Sequence, residues 1–328
     1  MKPKNDGQRI VARSDRNPTS FHDYNLVTPM MDDLELIVAS GVERMETGIC
    51  ITAPSRFGKT RALNHVERMV RVQDPSVTIE RLICKDRSRE SDRTYHRAVL
   101  RSVQLDYECI NRSDDTLDAL VRALLTRCSD KGDPRILFLI DEAQRLTERQ
   151  YSYLIDLTNE LENVGLASTV ALMGQTELLG IRDRLYKAKR YDIIGRFFEN
   201  PLILQGVDNE EALTKIAHQY DDYRACAFPA DSQNSITAAY LPHLFKSGFR
   251  LEHHVQLLWK SLEAIAGAMQ SPPVIGMKGA TRVIERALVK LQISQDANAA
   301  SSKDWWKNTL LETGYVHQLK NMASVTPP

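Results

Sequence analysis

No stretch of this 328-residue chain is apolar for long enough to span a bilayer, and its polar N-terminus lacks a signal-peptide core. A cytoplasmic protein without a membrane partner is expected. Cysteine is sparse: Cys50, Cys84, Cys109, Cys128 and Cys226 are scattered and include no C-x-x-C pair. That excludes a disulfide framework or a cysteine metal site and fits small buried residues in a reducing compartment. Net charge is also missing, because 43 Lys and Arg balance 43 Asp and Glu. Only local patches could therefore attract nucleic acid. No internal repeat is visible. The length suits one large or two modest domains, and a 42% hydrophobic content can fill a sizeable core.

What is present is most specific at residues 48–60, GICITAPSRFGKT, an apolar strand running into a loop that closes with Gly58, Lys59 and Thr60. This is a phosphate-binding loop of the G-x-x-x-x-G-K-[ST] type, with Ala53 at the first position. Ala53 is compatible if its φ is negative, because a glycine there mainly serves the turn. The nucleotide-binding segment is then Pro54, Ser55, Arg56, Phe57, Gly58, Lys59, Thr60 and Arg61. Backbone N–H groups and the following helix N-terminus point at phosphates, although Pro54 has no N–H to give. Lys59 adds a mobile cation for the β- and γ-phosphates, and Thr60 offers its hydroxyl to Mg²⁺. The pattern implies a nucleoside triphosphate ligand.

A helix is expected from Thr28-Pro29, then strands at 77–84, 136–140, 169–173 and 202–204, interleaved with helices at 60–72, 92–107, 114–128 and 176–188. Thr147 and Gln150 form a capping box opening a helix that stops at Gly165. Beyond Gly206 only helices are expected, at 208–221, 233–241, 250–269 and 279–293, with Asp208 and Glu211 marking a helix start. The fold class is α/β, a P-loop domain with a central parallel sheet and a C-terminal helical lid. The domains read as a basic arm (1–24), a nucleotide-binding α/β domain (25–206), the lid (207–293), and a linker with a tail (294–328).

The apolar strand 136–140 ends in Asp141-Glu142. Asp141 is placed to act on the metal, through water. Glu142 can orient and deprotonate a water attacking the γ-phosphate, a group that a kinase has no use for. Strand 77–84 falls between Lys59 and Asp141 in the chain, an insertion characteristic of ATPases with a catalytic Glu.

APSRFGKT, LFLIDEAQRL, ALMGQTEL and the pair GRFF and GFRLEHHVQLL, in this order, resemble the AAA+ ATPases that regulate DNA transposition. These are of the TnsC, TniB and MuB type, and within them the TnsC type of Tn-seven-like elements. The resemblance spans about residues 25–265. It implies ATP and Mg²⁺ as ligands, ATP over GTP also agreeing with the absence of an N-K-x-D sequence. It implies hydrolysis to ADP and phosphate, with Gln175 as the polar sensor, Arg196 as the arginine finger to a neighbour's ATP, and Arg250 as the second sensor. Arg190 competes with Arg196 for the finger role. It further implies binding to double-stranded DNA without sequence preference, self-assembly into a ring or helical filament, and contact with transposase subunits and a target-selection protein.

Two runs are locally basic. One holds Arg81, Lys85, Arg87, Arg89, Arg93, Arg97 and Arg101; the other holds Arg182, Arg184, Lys187, Lys189, Arg190 and Arg196. Each is either a solvated face or a contact surface. By the resemblance, Lys85, Arg87, Arg89 and Arg93 line a DNA-tracking pore, and the second run belongs to a subunit interface. The tail residues Trp305, Trp306, Leu310, Leu311 and Tyr315 form either a hook for a transposase or a terminal helix folded back on the lid. A motor or loader ATPase remains an alternative; a small-molecule kinase is disfavoured by Glu142.

Overall fold

The computed structural model describes residues 26–55, 57–84, 99–100, 113–204, 206–229 and 232–323. Of the expected helix 92–107 only residues 99 and 100 are described, and both are helical; Arg56, Cys109, and the DNA candidates Lys85, Arg87, Arg89 and Arg93 lie outside the described residues.

Helix α1 (Pro29–Glu43) starts with Pro29 in its first turn and Thr28 as cap, the Thr28 hydroxyl accepting the Met31 N–H. Then follow β1 (Gly48–Thr52), α2 (Lys59–Gln73), β2 (Thr78–Ile83), α3 (Ser113–Lys131) and β3 (Arg135–Asp141). After them come α4 (Glu148–Asn163), β4 (Ala167–Gly174), α5 (Glu177–Lys187), α6 (Tyr191–Phe197) and β5 (Leu202–Ile203). The capping box at α4 is complete, with Thr147 and Gln150 each bonding the other's backbone N–H.

The five strands are all parallel, in the order β2-β3-β4-β1-β5. In space the strand between β1 and β3 is therefore β4. The strand expected at 77–84, which intervenes in the chain, lies at the sheet edge beyond β3. The inner strands are buried on both faces, which explains their unbroken apolar runs. Ile136, Phe138 and Ile140 join Cys50, Val170 and Leu172 in one cluster, while Leu137 and Leu139 join Ile49, Ile51, Ala171 and Met173 in another. Alternate residues of one run thus serve two cores, one per face. Cys50, Cys84, Cys128 and Cys226 are buried and not joined in disulfides, and burial pushes the Cys50 thiol up to about 12.

The chain divides into two compact units. The first comprises the described residues of Val27–Asp208, Ala266–Ala280 and Gly314–Pro328; the second holds Leu26 together with the described residues of Asn209–Ile265 and Thr281–Thr313. Two later segments thus return to the sheet-bearing unit, which a linear reading does not anticipate.

The helices after β5 are α7 (Glu210–Asp221), α8 (Ile236–Tyr240), α9 (Pro242–Lys246), α10 (Val255–Ala268), α11 (Met277–Ser294), α12 (Lys303–Glu312) and α13 (Tyr315–Ala323). Asn209 caps α7 by accepting the Ala212 N–H, so the helix starts one residue later than Asp208 as cap would require. The expected helix 233–241 splits, because Leu241 precedes Pro242 and leaves the helical region, at φ −127 and ψ 55. The suggested linker at 294–303 contains a 3-10 turn, Ala297–Ser301. Trp306 is buried, with its indole N–H donating to the Ala300 carbonyl at 2.8 Å. Of the tail aromatics, Trp306 and Tyr315 are thus core residues rather than an exposed hook. No described helix is long and apolar enough to cross a membrane.

Candidate nucleotide-binding site

The site gathers at the C-terminal ends of β1, β3 and β4, where an open parallel sheet leaves loops free to carry chemistry. β1 delivers Ala53, which is buried and keeps a negative φ, as its side chain requires. The Ala53 N–H donates to the Gly174 carbonyl at 3.1 Å, tying the loop's first residue to the end of β4. Gly58, before α2, has φ +89, a left-handed conformation that favours glycine. Phe57 is not solvent-facing: a Cβ on Gly206 would come 2.8 Å, and one on Gly276 2.9 Å, from its ring. Two glycines therefore make room for an aromatic anchor that holds the loop.

Lys59 is buried, and its ammonium donates to the carbonyls of Ala53 at 3.2 Å and Pro54 at 3.0 Å. Burial lowers its pKa, opposed by the charges of Glu142, Asp141 and Glu177. A desolvated ammonium curled over the loop, beside N–H donors at a helix start, is chemistry that suits phosphate. Thr60 donates its hydroxyl to Asp141 Oδ2 at 3.0 Å. These two oxygens, one on α2 and one at the end of β3, are a donor pair for a hard divalent cation such as Mg²⁺. The residues present fit a magnesium–nucleotide complex.

Asp141 is 2% exposed and accepts the Glu142 N–H on Oδ1 at 2.9 Å. Arg81 of β2 also reaches Asp141 Oδ2, at 3.5 Å, and further bonds Asn64 and Glu67. It belongs to this site's surroundings, not to an outward basic face. Glu142 has φ 59 and ψ 37, a left-handed backbone that costs a non-glycine residue about 1–3 kcal/mol and clusters at functional sites. Its carboxylate meets Gln144 at 2.8 Å and Arg145 at 3.5 Å. Gln175 stands immediately after β4, its N–H bound by Gln144 Oε1 at 3.1 Å.

The remaining arginines are engaged within their own units. Arg190 bonds Ser152 at 2.9 Å and pairs with Asp192 and Glu148. Arg196 bonds Thr158 at 3.0 Å and Asn159 at 2.6 Å, both on α4. Arg250 lies 3.6 Å from the centroid of the Phe245 ring and donates to the carbonyls of Phe245 and Phe249. Sequence reasoning misses Gln144 and the Arg81–Asp141 contact; the only signal is Gln144's place in the DEAQ run.

Residues 43–181 match the family described as AAA domain. No curated protein matches the sequence. Among solved structures, Drosophila ORC bound to DNA is similar with a TM-score of 0.50 and 14% identity, over 83% of this chain and 68% of that one. Domain III of the Thermotoga maritima replication initiation protein DnaA gives 0.41 and 14%, over 89% and 98%. A Thermotoga maritima RuvB variant gives 0.41 and 14%, over 88% and 68%. The fold assignment rests on the AAA domain match and the ORC likeness. The chain has the AAA+ fold, an α/β nucleotide-binding domain with a parallel five-stranded sheet and C-terminal helices.

Proposed function

We propose that the chain is an ATPase that regulates DNA transposition, assembling on duplex DNA in its ATP state and disassembling on hydrolysis. The observation that carries the hydrolytic part is the meeting of Lys59, Thr60, Asp141 and Glu142 at the ends of β1 and β3. Lys59 and the loop N–H groups bind and orient the phosphates. Thr60 would offer its hydroxyl to Mg²⁺ and Asp141 would act on it through water; the ion would supply charge neutralisation at the phosphate oxygens. Glu142 takes a proton from the attacking water.

The sensor roles of Gln175 and Arg250, and the finger role of Arg196, come from the motif resemblance. So do the DNA, transposase and target-selection partners. Arg196 serves a neighbour by leaving Thr158 and Asn159, exchanging two hydrogen bonds for a phosphoryl oxygen. ORC, which shares the fold, was solved on DNA; duplex is the proposed partner of this chain too. Phosphate contacts repeated along a filament add avidity without reading sequence.

The test is binding to a random-sequence duplex with ATP, ADP and a non-hydrolysable ATP analogue, for wild type and Glu142→Gln, followed by imaging of the product. Tight, salt-sensitive binding in triphosphate states alone, with filaments or rings that persist in Glu142→Gln, supports the proposal. No binding in any state rejects the transposition reading. Continuous translocation along DNA favours the motor or loader alternative.

A further inference from the structure

Gln144 sits on the 3-10 turn Ala143–Arg145, two residues beyond Glu142, and both ends of its carboxamide are used. Nε2 donates to Glu142 Oε2 at 2.8 Å, while Oε1 accepts the Gln175 N–H at 3.1 Å. Only this orientation of the amide satisfies both partners. A flip would set NH₂ against N–H and carbonyl against carboxylate.

The surroundings hold this bridge in place. Ala143 is fully buried and its carbonyl accepts the Tyr151 hydroxyl at 2.9 Å, fixing the turn to α4. Tyr151 in turn packs edge-on against Phe198. On the other side stands Gly174. A Cβ there would lie 2.7 Å from Gln144 Oε1 and 2.5 Å from Leu178, so any larger residue would push the amide away. The Gly174 carbonyl accepts the Ala53 N–H of the phosphate loop at 3.1 Å. Arg145 also nears Glu142, but at 3.5 Å from a half-exposed side chain it supplies charge and little direction.

We infer that Gln144 is a positioning residue, a two-ended amide that holds the Glu142 carboxylate in register with the turn after β4 and, through Gly174, with the phosphate loop. The inference rests on the reading of Glu142 as the hydrolytic base. A neutral donor is required, because a carboxylate at 144 would repel Glu142 and an apolar side chain would release it. The left-handed backbone at Glu142 is part of the same device, since it brings residues 142 and 144 close enough to bond.

The test uses the full chain with ATP as substrate. Gln144→Leu removes both bonds, Gln144→Glu keeps only the acceptor, and Gln144→Asn keeps the amide but shortens its reach. In the first two, kcat should fall about ten- to hundredfold, with an intermediate loss for Gln144→Asn. KM and the affinity for a fluorescent ADP analogue should stay within about twofold, which general structural damage would not leave untouched. In a Glu142→Gln background, adding Gln144→Leu should change residual turnover by less than about twofold, because the two residues act as one unit. If Glu142→Gln loses turnover while a nucleotide-binding Gln144→Leu keeps or exceeds wild-type kcat, the inference is overturned alone. Additive losses in the double variant also overturn it. Turnover surviving in Glu142→Gln overturns the base assignment, and this inference with it.

Discussion

The Thr60 hydroxyl donates to Asp141 Oδ2 across 3.0 Å, joining the first turn of α2 to the last residue of β3 over 81 positions of chain. If this pair holds the metal, Thr60→Val should bind nucleotide without Mg²⁺ as wild type does. It should need about tenfold more Mg²⁺ for half-maximal hydrolysis. A Mg²⁺ titration of ATP turnover checks this, and Thr60→Ser should restore the wild-type midpoint.

Gly58 isolates a backbone effect. A Cβ there would meet only Met277, at an ordinary 3.6 Å, yet the residue has φ +89. Gly58→Ala should therefore cost about 1–2 kcal/mol through the left-handed backbone rather than through a clash. Relaxation of the loop toward a negative φ should also weaken ATP binding. Denaturant unfolding and a nucleotide titration measure the two effects separately.

Acid stability should depend on Arg135. Its guanidinium holds Asp133 well below the ordinary carboxylate range, helped by the Ser76 hydroxyl, while Asp74 is lowered by Ser76 first and Arg135 second. Both pKa values are depressed by folding. The stability they contribute is complete above the unfolded value of about 4 and is lost as pH falls through the folded values. Arg135→Met should lower stability by about 1–2 kcal/mol near neutrality and lose less than wild type between about pH 5 and pH 3. Urea midpoints across that range read the difference.

The described residues of the C-terminal tail contribute to a core. Trp306 is 1% exposed, hydrogen-bonded to Ala300 and edge-on to Trp305 at 4.9 Å. Trp306→Ala should cost about 3–5 kcal/mol. Trp305→Ala, on a less buried ring, should cost clearly less in the same unfolding experiment.

Local patterns were legible in the sequence, and long-range geometry was not. The phosphate loop, the helix start at Pro29, the Thr147 capping box and the buried run ending at Asp141 each depend on neighbours within a few residues, so their spacing reveals them. The left-handed Glu142, by contrast, is a conformation its residue type disfavours, and no pattern of letters signals it. Gln144 acquires its place only when β3 and β4 pair, which brings Gln175 beside it. Arg81 reads as one of a basic run until the β2–β3 pairing turns it toward Asp141. The arginines at 190, 196 and 250 were recognisable as cations, but their partners on α4, at Asp192 and on Phe245 are tertiary facts.

Glu142, held beside a phosphate loop built by Lys59 and Thr60, is proposed to drive ATP hydrolysis. The most direct test is steady-state ATP turnover of the full chain and its Glu142→Gln variant, with and without duplex DNA, alongside their ATP affinities. Wild type should turn ATP over, and the variant should lose at least about a hundredfold while keeping an ATP affinity within about threefold of wild type. Equal turnover in the two proteins, with ATP bound normally by both, would show that Glu142 is not the hydrolytic base.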